Sequence, residues 1–246
     1  MDNSLSAEPK ESTWRALYIT GSVAALLAVI LFRRFFAVEL MTFNGFGIFE
    51  VPPNEPATAL EWFTLLERNR IVGLILLGLV DLINYALVGL IFLAVYGALR
   101  KVNEIATGMA IILSMISLSV YFASNQALSY LYLSQQYQAA TSDAQRSIYL
   151  SAGEALSANI QGTGWYVSLF LIYLAGLIIS VVMFQSNIFN KAIAWTGILA
   201  NSFGLLLFPA LVFTPAIIWL PPSLSAPFRV IWYILIAGKL FQLGKG

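Results

Sequence analysis

Residues 71–101 read IVGLILLGLVDLINYALVGLIFLAVYGALRK, and the basic pair Arg100-Lys101 closes the run. About 20 apolar residues suffice to carry a helix across a hydrocarbon layer. The stretch therefore predicts a transmembrane helix over 71–99. Working outward, five further apolar blocks obey the same rule, with spans expected at about 14–38, 104–133, 160–184, 192–220 and 228–243. The expected fold class is all-α: a polytopic membrane protein of six transmembrane helices, with short amphipathic helices on the outer face. Residues 1–13 are polar and form an N-terminal tail, and 14–246 form one transmembrane domain.

Composition narrows the chemistry. The chain is 59% hydrophobic and 10% charged, whereas soluble domains carry roughly 25% charged residues. Thirteen basic residues against twelve acidic ones leave no cationic surface for nucleic acid. Cysteine is absent, which removes disulfides and thiolate nucleophiles, and histidine is absent too. Without histidine there is no His-bound haem, no His-zinc hydrolysis and no Ser-His-Asp triad. No catalytic residue, metal or cofactor is expected, and an intramembrane enzyme ranks behind binding and transport.

The leading segment carries Asp2, Glu8 and Glu11, and the first apolar block runs into Arg33-Arg34 with no small-residue cleavage site. It does not read as a secretory signal. Residues 39–56, rich in Gly, Pro and Phe, are expected to be irregular, with Gly45-Phe46-Gly47 a turn. ATALEWFTLLERNR, residues 57–70, spaces Leu60, Phe63 and Leu66 as an amphipathic helix does. Two placements stay open: on the membrane surface with Trp62 at headgroup depth, or with the apolar face capping the bundle. Glu61 and Glu67 read as a solvated face. Tyr121, Tyr130, Tyr132 and Tyr137 read as an interface belt. Thr141 or Ser142 is suited to cap a short helix. Pro209 and Pro215 predict kinks, and PPSLSAP at 221–227 predicts a turn.

With the N-terminus inside, seven basic residues fall on inner segments and six on outer ones, and all five lysines fall inside. Both termini are expected to be cytoplasmic, in a bacterial plasma membrane.

Asp81 is the one acid inside its apolar run. On an unbroken helix it lies ten residues in, about 15 Å below the outer end and near the bilayer centre. A lone carboxylate there costs about 3 kcal/mol on insertion scales. Asn84 and Tyr85 share its helical face, and Arg33 or Arg34 is the best charged partner. Serines of the third span and Tyr173 are expected at similar depth. One reading makes Asp81, Asn84, Tyr85, Arg33 and Arg34 a ligand- or proton-binding cluster. The other makes them polar glue between helices.

Three features carry a resemblance: LVDLINYALVGLIFLAVYGALRKVN, the long outer loop ending in an amphipathic helix, and QGTGWYVSLFLIYLAGLIISVVMF followed by FNKAIAWTGILANSFGLL. Over about residues 13–243 the chain resembles an uncharacterised bacterial family of multi-pass membrane proteins, defined only as a domain of unknown function. The resemblance implies a six-helix bundle and supplies no activity.

The expectation is a non-enzymatic membrane protein that holds a small apolar or amphipathic ligand, or a partner membrane protein, near Asp81. A small secondary transporter using Asp81 protonation is the alternative. Membrane lipids are the other expected partners, and nucleic acid is not.

Overall fold

A computed structural model describes residues 11–32, 52, 54–160 and 162–245. Helices α1 to α4 are Glu11–Ile30, Ala59–Arg68, Arg70–Leu76 and Leu79–Leu99. Then come α5 (Glu104–Ser124), α6 (Ala127–Ala139), α7 (Asp143–Ile160) and α8 (Thr163–Gln185). The chain continues with α9 (Lys191–Leu205), α10 (Leu207–Phe213), a 3-10 turn at Pro215–Ile217 and α11 (Leu220–Lys245). There is no strand among the described residues. Six helical stretches are long and apolar enough to cross a membrane. Their outward faces stay apolar, as Val23, Leu26, Ile105, Ile112, Ile231 and Ile234 illustrate. Lipid accepts such a surface; water does not.

Several expected boundaries move, each for a local reason. The helix expected over 71–99 breaks at Leu77-Gly78, where Gly78 takes φ +85°. Its amide donates to the Ile75 carbonyl at 3.0 Å, a left-handed stop of the kind glycine favours. The span expected over 104–133 breaks at Asn125-Gln126, because the Asn125 side chain accepts from the Ala127 amide at 3.1 Å and diverts the backbone into an Asx turn. The span expected over 192–220 is interrupted at Leu206, resumes as α10 to Phe213 and gives way to the 3-10 turn at Pro215. Pro209 lacks an amide for the Leu205 carbonyl, and its ring crowds that carbonyl. The PPSLSAP segment is helical and not a turn. Pro221 and Pro222 occupy the first turn of α11, where their missing amides cost little, and Pro227 lies inside the helix. Helix α1 stops at Ile30, and the expected continuation to 38 lies outside the described residues, as do Gly45-Phe46-Gly47.

The described chain forms two compact units, and the division falls at the last residue of α1 and inside α4, α5 and α8. The first comprises Met1–Val29, Ala86–Ile116 and Leu169–Gly246. Its core packs α9 along α11 through Gly197 and Ala200, small residues that let the helices approach. Ser225 Oγ donates to the Ala200 carbonyl at 2.6 Å, and Ser22 Oγ to that of Ala237 at 2.8 Å. The Arg100 guanidinium lies 4.4 Å from the Trp14 ring, which also packs on Gly97. A Cβ on Gly244 would sit 3.2 Å from the Arg15 carbonyl. The start of α1, the end of α4 and the end of α11 thus meet at one end of this unit.

The second unit comprises Ile30–Tyr85 and Ser117–Ser168. Trp62, Phe63 and Leu66 of α2 pack with Leu77, Ala127 and Tyr130 in its core. Of the two placements left open for α2, the structure has its apolar face against protein: Trp62 is 2% exposed, and Tyr130, its ring centroid 6.0 Å away, covers it. Leu60, 44% exposed, is not on that face. Thr58 and Glu61 fasten the start of α2 in the manner of a capping box, with Glu61 N to Thr58 Oγ1 at 3.3 Å and Ala57 N to Glu61 Oε2 at 2.7 Å. Glu61 is therefore a cap. Glu154 of α7 accepts from the Ala59 amide at 2.9 Å, putting a carboxylate at the positive end of α2. Ser142 caps α7 through the Gln145 amide at 3.3 Å, and that helix is 18 residues long rather than short.

Candidate functional site

Two helix breaks of the second unit are fastened to each other. Asn125 Nδ2 donates to the Gly78 carbonyl at 3.2 Å, so the residue that ends α5 holds the residue that precedes α4. A Cβ on Gly78 would lie 3.2 Å from Tyr121 Oη and 3.3 Å from both Asn125 Nδ2 and Asp81 Oδ2. These four residues form one polar knot.

Asp81 is the third residue of α4. It sits in the first turn, not ten residues into an unbroken helix, and it is 9% exposed. The positive end of the helix dipole favours a carboxylate there by about 0.3–1 kcal/mol. Tyr121 Oη donates to Asp81 Oδ2 at 3.3 Å. The Tyr121 ring stacks on that of Tyr85, with centroids 3.9 Å apart and an interplanar angle of 2°. Tyr85 Oη lies 3.2 Å from Ser168 Oγ, and Ser117 Oγ donates to the Ser168 carbonyl at 2.7 Å. A chain of polar groups therefore runs from Asp81 through two stacked phenols to α8.

Asn84, half-buried one turn beyond Asp81, behaves differently. Its Oδ1 is buried and has no hydrogen-bond partner. A buried acceptor left unmet costs about 1–3 kcal/mol. Asn84 thus leaves an unsatisfied acceptor one helical turn along α4 from Asp81 and adjacent in sequence to Tyr85.

Of the residues singled out by sequence, the structure joins Asp81 and Tyr85 through Tyr121 and puts Asn84 on the same helix one turn on. Arg33 and Arg34 lie outside the described residues. Tyr173 belongs to the first unit, where Arg229 covers its ring. The expected belt of tyrosines divides: Tyr121 and Tyr130 are buried and bonded inward, while Tyr132 is exposed. Tyr121 and Asn125 were the residues missed. Asn125 had a readable signal, a Ser-Asn-Gln sequence able to break a helix.

The family profile of DUF4386, a domain of unknown function, matches residues 16–240. The chain belongs to that family. All of the Asp81 cluster of this DUF4386 protein falls within the matched residues, as do the whole second unit and all of the first except its two ends. No curated protein and no solved structure matches the chain.

Proposed function

We propose that the chain is a non-enzymatic protein of the bacterial plasma membrane that binds a small amphipathic molecule beside Asp81 and Asn84. Both termini are cytoplasmic in this reading. Support for their sharing a side comes from the meeting of the start of α1 with the end of α11. The lysine bias favours the inner side.

The observation that carries the binding reading is the buried, unpartnered Asn84 Oδ1. A hydroxyl, amide or amine on the ligand would satisfy it, with the stacked Tyr85 and Tyr121 rings beside the less polar part. Asp81 favours a cationic or hydrogen-bonding head. Native mass spectrometry of the purified protein tests this. Wild type should carry a co-purified small molecule, and Asn84→Leu should lower its occupancy about tenfold, as loss of about 1.4 kcal/mol requires. Equal occupancy in the two proteins, or none in wild type, would contradict the proposal.

The paired helix breaks favour a second reading, a secondary transporter using Asp81 protonation. Interrupted helices at membrane depth are tolerated where they line a cavity, and transporters build substrate sites from them. A coupled transporter reconstituted in vesicles would change lumenal pH when such a substrate is added, and Asp81→Asn would abolish the change. A binding protein would leave lumenal pH as in empty vesicles.

A further inference from the structure

Among the described residues, no ion pair meets Arg229, a cation in the C-terminal part of the chain. No acidic residue follows Glu154, yet Lys191, Arg229, Lys239 and Lys245 do. The lysines lie at or near helix ends: Lys191 opens α9 and meets the Phe184 carbonyl and ring, and Lys245 closes α11 over Phe241. A flexible lysine near a helix end reaches polar surroundings easily. Arg229 is placed otherwise. It lies about 14 Å along α11 from Leu220, at 1.5 Å per residue. Its Nη2 is buried and has no hydrogen-bond partner.

What surrounds the guanidinium cannot neutralise it. The Tyr173 ring of α8 lies 4.5 Å beneath it, and Gly204 of α9 leaves the space that this ring fills. The Tyr233 hydroxyl lies close enough to accept a hydrogen bond from the guanidinium, so part of the donor edge is met within the protein and Nη2 is the nitrogen left over. A ring face answers the positive charge in part but accepts none of the fork of N–H donors in the guanidinium plane. One turn further along α11, Trp232 is 2% exposed and buries an Nε1 donor that also lacks a partner. The polar side chains of this core already donate to main-chain carbonyls: Asn201 to Gly197 at 2.7 Å, Ser180 to Gly176 at 2.7 Å and Ser225 to Ala200 at 2.6 Å. Among the described residues of the first unit, both unmet buried side-chain atoms are donors, and one carries a full charge.

We propose that Arg229 is the recognition residue of an anion site in the first unit, which takes the carboxylate or phosphate of an amphipathic molecule. The guanidinium presents the unmet part of its donor edge, at Nη2, to the anionic oxygens. Tyr173 supports the guanidinium face. Trp232 Nε1 lies elsewhere, against Gly197 and Ser180, and is not part of this site. This site does not depend on the Asp81–Asn84 reading, whose ligand must donate hydrogen bonds; here the ligand must accept them.

The test is thermal unfolding of the full-length protein in a non-ionic detergent during titration with oleate, short-chain phosphatidylglycerol, or inorganic phosphate. Oleyl alcohol and the matching diacylglycerol are the uncharged controls. Oleate or phosphatidylglycerol should raise the midpoint saturably, and the uncharged controls should not. The half-saturating concentration should rise at least tenfold in Arg229→Gln and about threefold or more in Arg229→Lys, which keeps the charge but loses the fork. A response to oleate assigns a carboxylate and a response to phosphatidylglycerol alone a lipid phosphate; either supports the site. If Arg229→Gln does not fold, the wild-type comparison of charged with uncharged amphiphiles and the Arg229→Lys titration decide. Equal response to the uncharged controls, an unchanged half-saturation in the variants, or a response to inorganic phosphate alone would overturn the proposal.

Discussion

At the scale of single residues, Gly78 carries the geometry of the polar knot. Its φ of +85° is one that a residue with a Cβ adopts at a cost of about 1–2 kcal/mol. Moreover, an added methyl would meet Tyr121, Asn125 and Asp81 at 3.2 to 3.3 Å. These distances are tighter than ordinary van der Waals contact, so the three polar groups must give way together. Gly78→Ala is therefore expected to destabilise the protein by about 2 kcal/mol. Denaturation in detergent measures this, and an unchanged midpoint would mean that the break between α3 and α4 does not depend on glycine. Asp81 is less exceptional than its sequence surroundings suggest. A carboxylate in the first turn of a helix, with a tyrosine hydroxyl donating to it, has local reasons to be there.

At the scale of elements, α2 is held by both its ends and its apolar face. Thr58, Glu61 and Glu154 satisfy its first turn, while Trp62, Phe63 and Leu66 are buried. Because the natural chain lacks cysteine, single cysteines report accessibility without background. Leu60→Cys should react with a water-soluble maleimide at least tenfold faster than Ala59→Cys, which is fully buried against α7. Similar rates would show that α2 is not docked. The amphipathic period of this helix was legible in the sequence, but which surface it covered was not. Pattern records an apolar face without recording its partner. The helix breaks divide in the same way. Gly78, with Asp81 three residues on, has the letters of a stop followed by an acid-bearing first turn, yet it sits in a run apolar enough to read as one helix. At Pro221, Pro222 and Pro227 the opposite happened: residues that usually end helices lie in the first turn or are absorbed within α11. The span expected over 228–243 has Arg229 at its very start, and the extension of α11 to Leu220 puts it well inside the helix.

At the scale of the whole molecule, six apolar helical stretches were legible because bilayer thickness imposes length and composition together. Pairings that depend on single hydrogen bonds, such as Tyr121 with Asp81, have no such signature. In the proposed topology all six stretches cross the membrane, which would return the chain to the side where it began. In intact cells, cysteines introduced at Ser4 and Gly246 should therefore resist a membrane-impermeant maleimide, while one at Thr58 or Ser142 should react. Labelling at only one terminus would require an odd number of crossings. Among the described residues, three buried side-chain atoms are unmet: an acceptor at Asn84 in one unit, and donors at Arg229 and Trp232 in the other. Unmet groups lower stability, and their retention points to ligands of opposite hydrogen-bonding character. Thermal unfolding of ligand-free wild type and Asn84→Leu, side by side in one detergent, tests this most directly. The expected result is that Asn84→Leu unfolds at a higher temperature, by the equivalent of about 1–2 kcal/mol, because it removes a buried acceptor that nothing in the protein satisfies. A lower unfolding temperature would mean that Asn84 helps to hold the helices together, and would contradict its role as a group reserved for a ligand.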